Sequence, residues 1–399
     1  MDDSFDSYPE EFKECKEALM NNDTAAAAAK IQKYLEKQDN IPLNIAITGE
    51  CGSGKSTFVN AIRGIKNSDD GAAPTGCVET TIEVTAYPHP NYPNVTFWDL
   101  PGIGTTRFPA HQYLKHVKFE KFDFFIIISA DRFRENDVKL AQKIQKMKKK
   151  FYFVRSKIDH NIRDERRSQR NFNEEMTLKR MRDNCIQGLQ QQGFEDPQVF
   201  LVSSFDLHLY DFSLLHETLE RELPAHKRDA LLFTMPNINR EIIIKKKKAF
   251  QAKIKYFACL SALVAGVPVP VLSTTVDLGM MVTVVLKYVL GFGLDKPSLQ
   301  RLADRTGVPY ENLVAVIKSP LALKKINVDR LLKVISQVTV AGLLMVAEEG
   351  TRFIPLFGIP ITMALSFTAT YGILSFFLNS LAEDAQRVFE KSLGLETSV

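Results

Sequence analysis

Residues 49–56 read Gly-Glu-Cys-Gly-Ser-Gly-Lys-Ser and match the phosphate-loop pattern GxxxxGK[ST] at every fixed position. Glycines let consecutive backbone N–H groups surround phosphate oxygens, while Lys55 can reach the β and γ phosphates and the Ser56 hydroxyl suits Mg²⁺. An apolar strand over 43–48 precedes the loop and a helix over 57–63 follows it, as the motif requires. We therefore expect a nucleotide's phosphates to contact Gly49, Glu50, Cys51, Gly52, Ser53, Gly54, Lys55, Ser56 and Thr57.

A second motif, DxxG, spans residues 99–102 at the end of the apolar strand 95–98. In such motifs the aspartate, here Asp99, holds the water shell of Mg²⁺, and the glycine, here Gly102, senses the γ phosphate. On its own DxxG is a weak signal, but its place after a phosphate loop and at a strand end makes it strong.

The segment 71–81, between these two motifs, is rich in Gly, Pro and Thr. This composition suits a segment that orders around the γ phosphate and Mg²⁺. Thr75, Thr80 and Thr81 are alternative candidates for the threonine that contacts the metal.

Residues 156–159, Ser-Lys-Ile-Asp, follow the apolar strand 151–155 and are a variant of the guanine motif [NT]KxD. The Asp159 carboxylate can accept hydrogen bonds from N1–H and the 2-amino group of guanine, which adenine cannot offer in that arrangement. The stem of Lys157 would pack over the ring, and Ile158 lies between them. Serine at the first position leaves that residue's own contact open. Ser203 and Ser204 follow the last strand, where a loop could touch the base.

Strands and helices alternate from residue 40 to 225, which predicts an α/β domain with a mostly parallel sheet. Helical composition precedes it, and after residue 225 long apolar stretches separated by charges indicate an all-helical region. We expect a division into an N-terminal helical segment (1–39), a nucleotide domain (40–225) and a C-terminal helical domain (226–399).

The composition excludes several classes. The 399 residues carry 51 Lys and Arg against 47 Asp and Glu, a net charge of +4, so no nucleic-acid partner is expected. Five scattered cysteines without metal-ligand spacing indicate reduced thiols in the cytosol. The chain starts without a secretory pattern or a myristoylation glycine, so we expect a cytoplasmic protein that is not secreted.

Two features of the second half point to membrane lipid. The lysines of 245–248, with Lys253 and Lys255, stand just before the uncharged stretch 256–276, and could attract anionic lipid or form a solvated helix face. Residues 354–378 lack charges and are long enough to span a bilayer. Pro355, Gly358 and Pro360 would break the first turns, leaving a helix from Ile361 that is either buried, reversibly inserted or a permanent span.

Six motifs together resemble the immunity-related, interferon-inducible GTPases; they are residues 49–56, 71–76, 87–90, 98–104, 152–155 and 223–228. The resemblance implies a Ras-like P-loop G domain, flanked by an N-terminal helical segment and a C-terminal helical domain, with dynamin-like behaviour. It also implies binding of GTP and GDP with Mg²⁺, GTP hydrolysis, self-association through facing G domains in the GTP state, and action at intracellular membranes around pathogens.

The resemblance also assigns residues. The first switch would contact nucleotide through Thr75, Gly76, Cys77, Val78 and Glu79. The expected metal ligands are Ser56, Thr81 and Asp99, and the expected catalytic residues are Lys55, Ser56, Glu79, Thr81 and Gly102. One departure matters: Ile103 follows the DxxG motif where Ras-type enzymes carry a water-positioning glutamine, so hydrolysis should be slow unless a partner molecule completes the site.

Two other functions stay open at this point. An ATPase or nucleotide kinase could share the phosphate loop, but it would have no use for the Asp159 carboxylate, so a preference for ATP over GTP would favour it. A catalytically weak scaffold that binds guanine nucleotide and acts by protein interaction is compatible with the missing glutamine, and undetectable phosphate release would favour it.

Overall fold

A computed structural model describes residues 10–76, 83–101, 119–131, 133, 135–265, 270–322, 326–336 and 349–394, with only the backbone at 10–12, 265, 270–277, 356 and 362. The chain separates into two compact units, one formed by Ile41–Ile238 and the other by Met1–Asn40 together with Asn239–Val399. The expected division into an N-terminal helical segment (1–39), a nucleotide domain (40–225) and a C-terminal helical domain (226–399) remains a prediction.

The helices and strands of the described residues follow in chain order. They are α1 (Glu10–Met20), α2 (Thr24–Asp39), β1 (Leu43–Gly49), α3 (Lys55–Ile62), β2 (Thr85–Pro88), β3 (Val95–Asp99), β4 (Phe124–Ser129), α4 (Glu135–Lys146), β5 (Lys150–Arg155), α5 (Ile158–Ser168), α6 (Glu174–Gln190), β6 (Val199–Leu201), α7 (Phe212–Glu222), α8 (Ala225–Thr234), α9 (Arg240–Ala265), α10 (Pro270–Gly291), α11 (Lys296–Thr306), α12 (Tyr310–Ala315), α13 (Val328–Ile335), α14 (Phe353–Phe357) and α15 (Ile361–Ser392).

The unit of Ile41–Ile238 is built on a six-stranded sheet with the order β2-β3-β1-β4-β5-β6. Strand β2 pairs antiparallel with β3, and the other pairs are parallel. The register sets Asp99 beside Ile47, Gly49 beside Ile128, and Arg155 beside Ser129. The carboxyl ends of the parallel strands therefore lie along one edge of the sheet, which confirms the expected α/β class and brings the motif loops together.

Continuous apolar strands place the core of this unit on both faces of the sheet. All six residues of β4 are buried, as expected for a central parallel strand covered on both sides. Phe125 and Phe153 of neighbouring strands join a cluster with Ile144 of α4 and Leu189 of α6. Burying each such side chain stabilises the fold by about 1.5–3 kcal/mol, so the sheet is a rigid support for the loops at its edge.

The other unit is helical, and its longest helices, α9 and α15, pack on each other. A polar seam runs through this apolar contact: the Ser261 hydroxyl lies 2.8 Å from that of Thr370, and the Gln251 amide donates to the Tyr371 and Ser375 hydroxyls at 3.1 and 3.3 Å. The seam gives polar side chains of α15 hydrogen-bond partners on α9. These bonds fix which faces of the two helices pack together.

The apolar stretch of 354–378 divides as its Pro and Gly residues predict. Helix α14 ends at Gly358, which has φ +69°, and α15 starts at Ile361 after Pro360. Among the described residues, Leu278–Thr306 and Met363–Ser392 are apolar and long enough to cross a membrane, and about half of each apolar window (44% and 50%) is buried inside the structure. Core helices of a soluble fold have the same character, so the alternatives of buried helix, reversible insertion and span stay open.

The expectation of a surface basic cluster at 245–248 is wrong for one of its lysines. Lys246 is 2% exposed, and its ammonium donates to the Gly291 carbonyl at 2.8 Å, at the carboxyl end of α10. Burial lowers the pKa of Lys246 to about 7. Lys253 and Lys287 both pair with Asp39 of α2, so the clustered charges serve the packing of this unit as well as its surface.

Asp384 of α15 is a buried carboxylate with three donors. Its oxygens accept from the Lys318 and Ser319 backbone N–H groups at 2.8 and 2.9 Å, and it pairs with Arg387. We predict that Asp384→Ala lowers the free energy of unfolding by about 3 kcal/mol, because these donors lose a buried partner. Circular dichroism during heating should show the first unfolding transition about 5–10 °C lower.

The matched control is Glu383→Ala, which removes the neighbouring carboxylate. Glu383 is 65% exposed and lies 3.8 Å from Arg387, so its loss should cost at most about 0.5 kcal/mol. Equal shifts for the two variants would contradict the role assigned to Asp384.

Candidate functional site

The phosphate loop turns sharply between β1 and α3 and depends on glycine at three positions. Gly49, Gly52 and Gly54 have φ values of +140°, +76° and +92°, which L side chains rarely adopt. A Cβ on Gly49 would stand 2.0 Å from the Ile128 carbonyl oxygen of the adjacent strand. The loop backbone can therefore pass close to β4, where a side chain would push it away.

The loop delivers the N-terminus of α3 to the sheet edge. Gly54 takes the N-cap position, so no side chain caps the first N–H groups of this helix within the described chain. Those groups and the positive end of the helix dipole favour an anion. Nearby, the Ser53 hydroxyl is buried and has no hydrogen-bond partner among the described residues, a polar atom that a bound phosphate would satisfy.

Lys55 and Ser56 place a cation and a hydroxyl at this N-terminus. Lys55 is only 6% exposed, and its ammonium donates to the Glu50 carbonyl at 2.8 Å, across the loop. The Ser56 hydroxyl donates to the Asp99 carboxylate at 2.6 Å, and Asp99 is fully buried at the end of β3. A hydroxyl and a carboxylate together are the oxygen ligands that a hard cation prefers.

The loop after β5 is tied directly to the phosphate loop. The Ser156 hydroxyl donates to the Ser53 carbonyl at 2.6 Å and lies 3.3 Å from the Ser129 carbonyl. The Lys157 ammonium donates to the Gly52 carbonyl at 2.8 Å, and Lys157 has φ +58°. The sequence alone does not identify the contact of Ser156, the first residue of the variant guanine motif. In the structure its hydroxyl bonds to the phosphate loop and so holds the two loops at a fixed spacing.

Asp159 lies in the first turn of α5, where its carboxylate is three-quarters buried. Its Oδ2 atom lies 3.6 Å from the His160 ring, and its Oδ1 atom is buried with no hydrogen-bond partner in the described ranges. A buried carboxylate oxygen without a donor is costly, so the position fits a ligand that presents N–H groups. Burial, helped by the charges of Glu174 and Asp159, raises the pKa of Tyr210 and keeps this nearby phenol neutral.

The two serines after β6 differ in their surroundings. Ser203 is fully buried, and its hydroxyl accepts from the backbone N–H groups of Phe205 and Asp206 at 3.3 and 3.2 Å. Its side chain therefore shapes the loop. Ser204 is half-buried, and the neighbouring Ile158 N–H approaches the Val202 carbonyl at 3.5 Å, so this loop borders the Asp159 loop. Base contact through either serine remains a prediction.

The remaining predicted residues divide by whether the structure describes them. Thr57 and Thr75 are half-buried, as is Glu50, whereas Cys51 and Gly76 are exposed. The predicted residues that lie outside the described part of the chain are Cys77, Val78, Glu79, Thr80, Thr81, Gly102 and Ile103.

Two buried residues near the site, Asn60 in α3 and Arg63 at its C-cap, are not part of any motif in the sequence. Asn60 and Arg63 are 1% and 7% exposed, and both bond to the backbone of 71–73, just before Thr75. Their spacing from Ser56, four and seven residues, puts them on the same helix face. That spacing is a signal available in the sequence, because polar residues on the Ser56 face would otherwise point into the core.

The described residues contain no cluster of three or more His, Cys, Asp or Glu that could hold a metal ion. A magnesium site does not need such a cluster, since Mg²⁺ on a nucleotide keeps several waters and takes one or two protein oxygens.

The family model for interferon-inducible GTPases matches residues 8–392. Interferon-inducible GTPase 5 of Rattus norvegicus is 39% identical over 387 residues, covering 96% of this chain and 83% of the rat protein. Interferon-gamma-inducible GTPase 10 of Mus musculus is 38% identical over 385 residues, covering 96% and 89%. Interferon-inducible GTPase 1 of Mus musculus is 42% identical over 295 residues, covering 74% and 71%.

Two solved structures that resemble this chain have lower sequence identity. Toc33 from Arabidopsis thaliana in complex with Mg²⁺ and GMPPNP is 14% identical with a TM-score of 0.30, covering 50% of this chain and 81% of Toc33. A GTP-binding protein from Sulfolobus solfataricus in complex with GDP is 17% identical with a TM-score of 0.29, covering 54% and 67%.

The family model matches residues in both units of the chain, and the alignments cover most of the length of these relatives. The resemblance drawn from the motifs is therefore confirmed. The chain belongs to the interferon-inducible GTPase family, and it is a GTPase that binds guanine nucleotide.

Proposed function

We propose that this GTPase is a dynamin-like switch that hydrolyses GTP slowly, self-associates in the GTP state and acts at intracellular membranes in cell-autonomous immunity. The observation that carries the proposal is the bond between the Ser156 hydroxyl and the Ser53 carbonyl at 2.6 Å. It joins a phosphate-binding end and a base-binding end into one site of fixed length, as a nucleotide switch requires.

At the base-binding end, Asp159 selects guanine. Its Oδ1 atom, which has no hydrogen-bond partner among the described residues, and its Oδ2 atom can together accept from N1–H and the 2-amino group. Lys157 is exposed along its stem and anchored at its tip to Gly52, so the stem can cover one face of the ring. Ser204 would border the base from the adjoining loop.

At the phosphate end, Lys55 and the amides of the loop stabilise charge. We expect the loop amides and the Lys55 ammonium to bind the β and γ phosphates, where negative charge grows during transfer. Because Lys55 is nearly buried, its charge acts through a medium that screens it less than water does.

Mg²⁺ fits this site. The Ser56 hydroxyl would ligate it and the buried Asp99 carboxylate would hold its water shell, since the two groups already lie 2.6 Å apart. Thr81, the third proposed ligand, lies outside the described residues. When bound, the ion neutralises charge on the β and γ oxygens.

Slow hydrolysis and self-association are linked. Ile103 follows the DxxG motif and cannot orient water, so the chain on its own lacks the group that Ras-type enzymes use. A facing G domain would complete the site, with Glu79 acting at that contact. The relatives of this chain are named interferon-inducible GTPases, and that name supports the proposed immune role.

Membrane action is proposed from the start of α15. Ile361 and Leu365, one helical turn apart, are 92% and 81% exposed, which is unusual for branched apolar residues. Lys248, on α9 of the same unit, is an exposed cation of the 245–248 run. We propose that this unit binds lipid reversibly and that the protein is cytoplasmic when unbound.

We predict that Asp159→Asn lowers affinity for GDP at least about 100-fold and raises affinity for xanthosine diphosphate. The amide offers a donor where guanine also has donors, whereas the 2-oxo group of xanthine accepts from it. Competition against a fluorescent nucleotide measures both affinities. Wild-type protein that prefers ADP to GDP would contradict the assignment and favour an ATPase.

We predict that wild-type protein associates on addition of a nonhydrolysable GTP analogue and that Lys55→Ala does not. Removing the buried ammonium leaves the β and γ phosphates without their cation, so the GTP state is not reached. Light scattering at several protein concentrations follows association. Lys149→Ala, which removes a half-buried lysine bonded to the Glu120 and Phe122 carbonyls, is the control and should associate.

The same proteins, given GTP in place of the analogue, decide between an enzyme and a scaffold. Phosphate release that rises more than linearly with protein concentration would support completion of the site by a second molecule. Undetectable release at high concentration would contradict it and favour the scaffold function.

We predict that the double variant Ile361→Asp and Leu365→Asp abolishes flotation with vesicles of phosphatidylcholine and phosphatidylserine, because a charge in the acyl boundary is costly. GTP hydrolysis in the absence of vesicles should not change. Met20→Asp, at a residue that is 72% exposed on α1, is the control and should still float. Equal flotation of all three proteins would contradict the proposed contact.

A further inference from the structure

One face of α3 continues inward from the phosphate site. Ser56, Asn60 and Arg63 follow at intervals of four and three residues, so their side chains lie in a row along the helix. All three are buried, at 8%, 1% and 7% exposure. Ser56 serves the nucleotide, and the other two bond to the segment that leads to Thr75.

Asn60 makes a two-way pair with the backbone of Ala73. The Ala73 N–H donates to the Asn60 side-chain carbonyl at 2.7 Å, and the Asn60 amide donates to the Ala73 carbonyl at 2.9 Å. The same amide donates to the Asn67 side-chain carbonyl at 2.9 Å. An amide side chain can do this because it carries a donor and an acceptor, as one strand residue does for another.

Arg63 fastens the chain on both sides of the same segment. Its guanidinium donates to the Gly71 carbonyl at 3.0 Å and to the Pro88 carbonyl of β2 at 3.1 Å, and it lies 5.3 Å from the centre of the Tyr87 ring. The planar guanidinium holds several donors in a fixed fork, so it spans carbonyls on two separate parts of the chain.

These contacts limit how far Thr75 can stand from Ser56. Asn60 is about one helical turn, or roughly 6 Å, from Ser56 along α3. Thr75 is two residues beyond Ala73, a reach of at most about 7 Å. Thr75 is half-buried and is one of the threonines that could meet the γ phosphate.

We propose that Asn60, supported by Arg63, is a positioning residue that sets Thr75 relative to Ser56, so that recognition of the γ phosphate depends on Asn60. Binding of the base and β phosphate does not depend on it, since those contacts come from the loops at 49–57 and 156–159. The proposal rests on the proposed nucleotide contact of Thr75 and does not require self-association.

The test compares Asn60→Asp with Asn94→Asp. Both exchange an amide for a carboxylate of the same size, and both remove an amide-to-carbonyl bond in the same unit, since Asn94 donates to the Ile41 carbonyl at 2.8 Å. Asn94 precedes β3, at the edge of the sheet opposite the site. Affinities for GDP and for a nonhydrolysable GTP analogue with Mg²⁺ are measured in dilute protein, together with the thermal midpoint.

For Asn60→Asp we expect affinity for GDP within about 2-fold of wild type and affinity for the GTP analogue about 10-fold lower, the equivalent of one hydrogen bond. Single-turnover hydrolysis should fall by about 10-fold or more, for the same reason. Asn94→Asp should keep the wild-type ratio of the two affinities even if it lowers the thermal midpoint.

Two further variants test the positioning role of Asn60 independently of the Asn60→Asp variant alone. Arg63→Lys keeps the charge but loses the fixed fork that spans the Gly71 and Pro88 carbonyls, so it should lower analogue affinity less than Asn60→Asp and leave GDP affinity unchanged. In a Thr75→Ala background, Asn60→Asp should have no further effect on the ratio, because the two residues act on one contact.

A purely structural Asn60 would lower the thermal midpoint while leaving the affinity ratio at the wild-type value, and this result would overturn the proposal. Additive effects of Asn60→Asp and Thr75→Ala would overturn it as well. Wild-type protein that binds neither nucleotide would instead contradict the proposed function, so the two failures are distinct.

Discussion

A single short bond, from the Ser156 hydroxyl to the Ser53 carbonyl, joins two loops that are 103 positions apart in the chain. The bond is possible because β1 and β5 flank β4 in one parallel sheet, and their carboxyl ends meet at the same edge. A nucleotide has a limited range of distances between base and phosphates. The loops can therefore bind it without reorganising only if their spacing is fixed beforehand, which lowers the entropic cost of binding.

Helix α3 carries that fixed geometry into the rest of the nucleotide unit. Its N-terminus lies at the proposed phosphate site, the Ser56 hydroxyl bonds to Asp99, and Asn60 and Arg63 hold the backbone that leads to Thr75. In the proposed switch, a change in phosphate contact at the N-terminus of α3 would therefore shift the segment 71–73, which is bonded to the side of this helix. A switch needs such a connection, because a ligand shifts an equilibrium only through contacts that differ between two states.

The motif-bearing parts of this site were predictable from the sequence, because 49–56, Asp99 and 156–159 are contiguous or sit at strand ends where their context can be read. The bond of Ser156 was not predictable, because the residues around Ser156 in the sequence do not indicate which distant carbonyl accepts from its hydroxyl. Asn60 was missed because its partners are backbone atoms of 73, which carry no side-chain signal. The sequence predicts Lys246 to be a surface charge like its neighbours, and only the packing of α9 shows which of the four lysines is buried.

The most direct test of the central claim is a crystal structure of the protein with GDP and Mg²⁺. We predict both Asp159 oxygens within about 2.7–3.2 Å of guanine N1 and the 2-amino nitrogen, and the β phosphate enclosed by the amides that precede Lys55. The bond from Ser156 to the Ser53 carbonyl should persist unchanged. A purine bound away from Asp159, or loops that separate when nucleotide binds, would contradict the account.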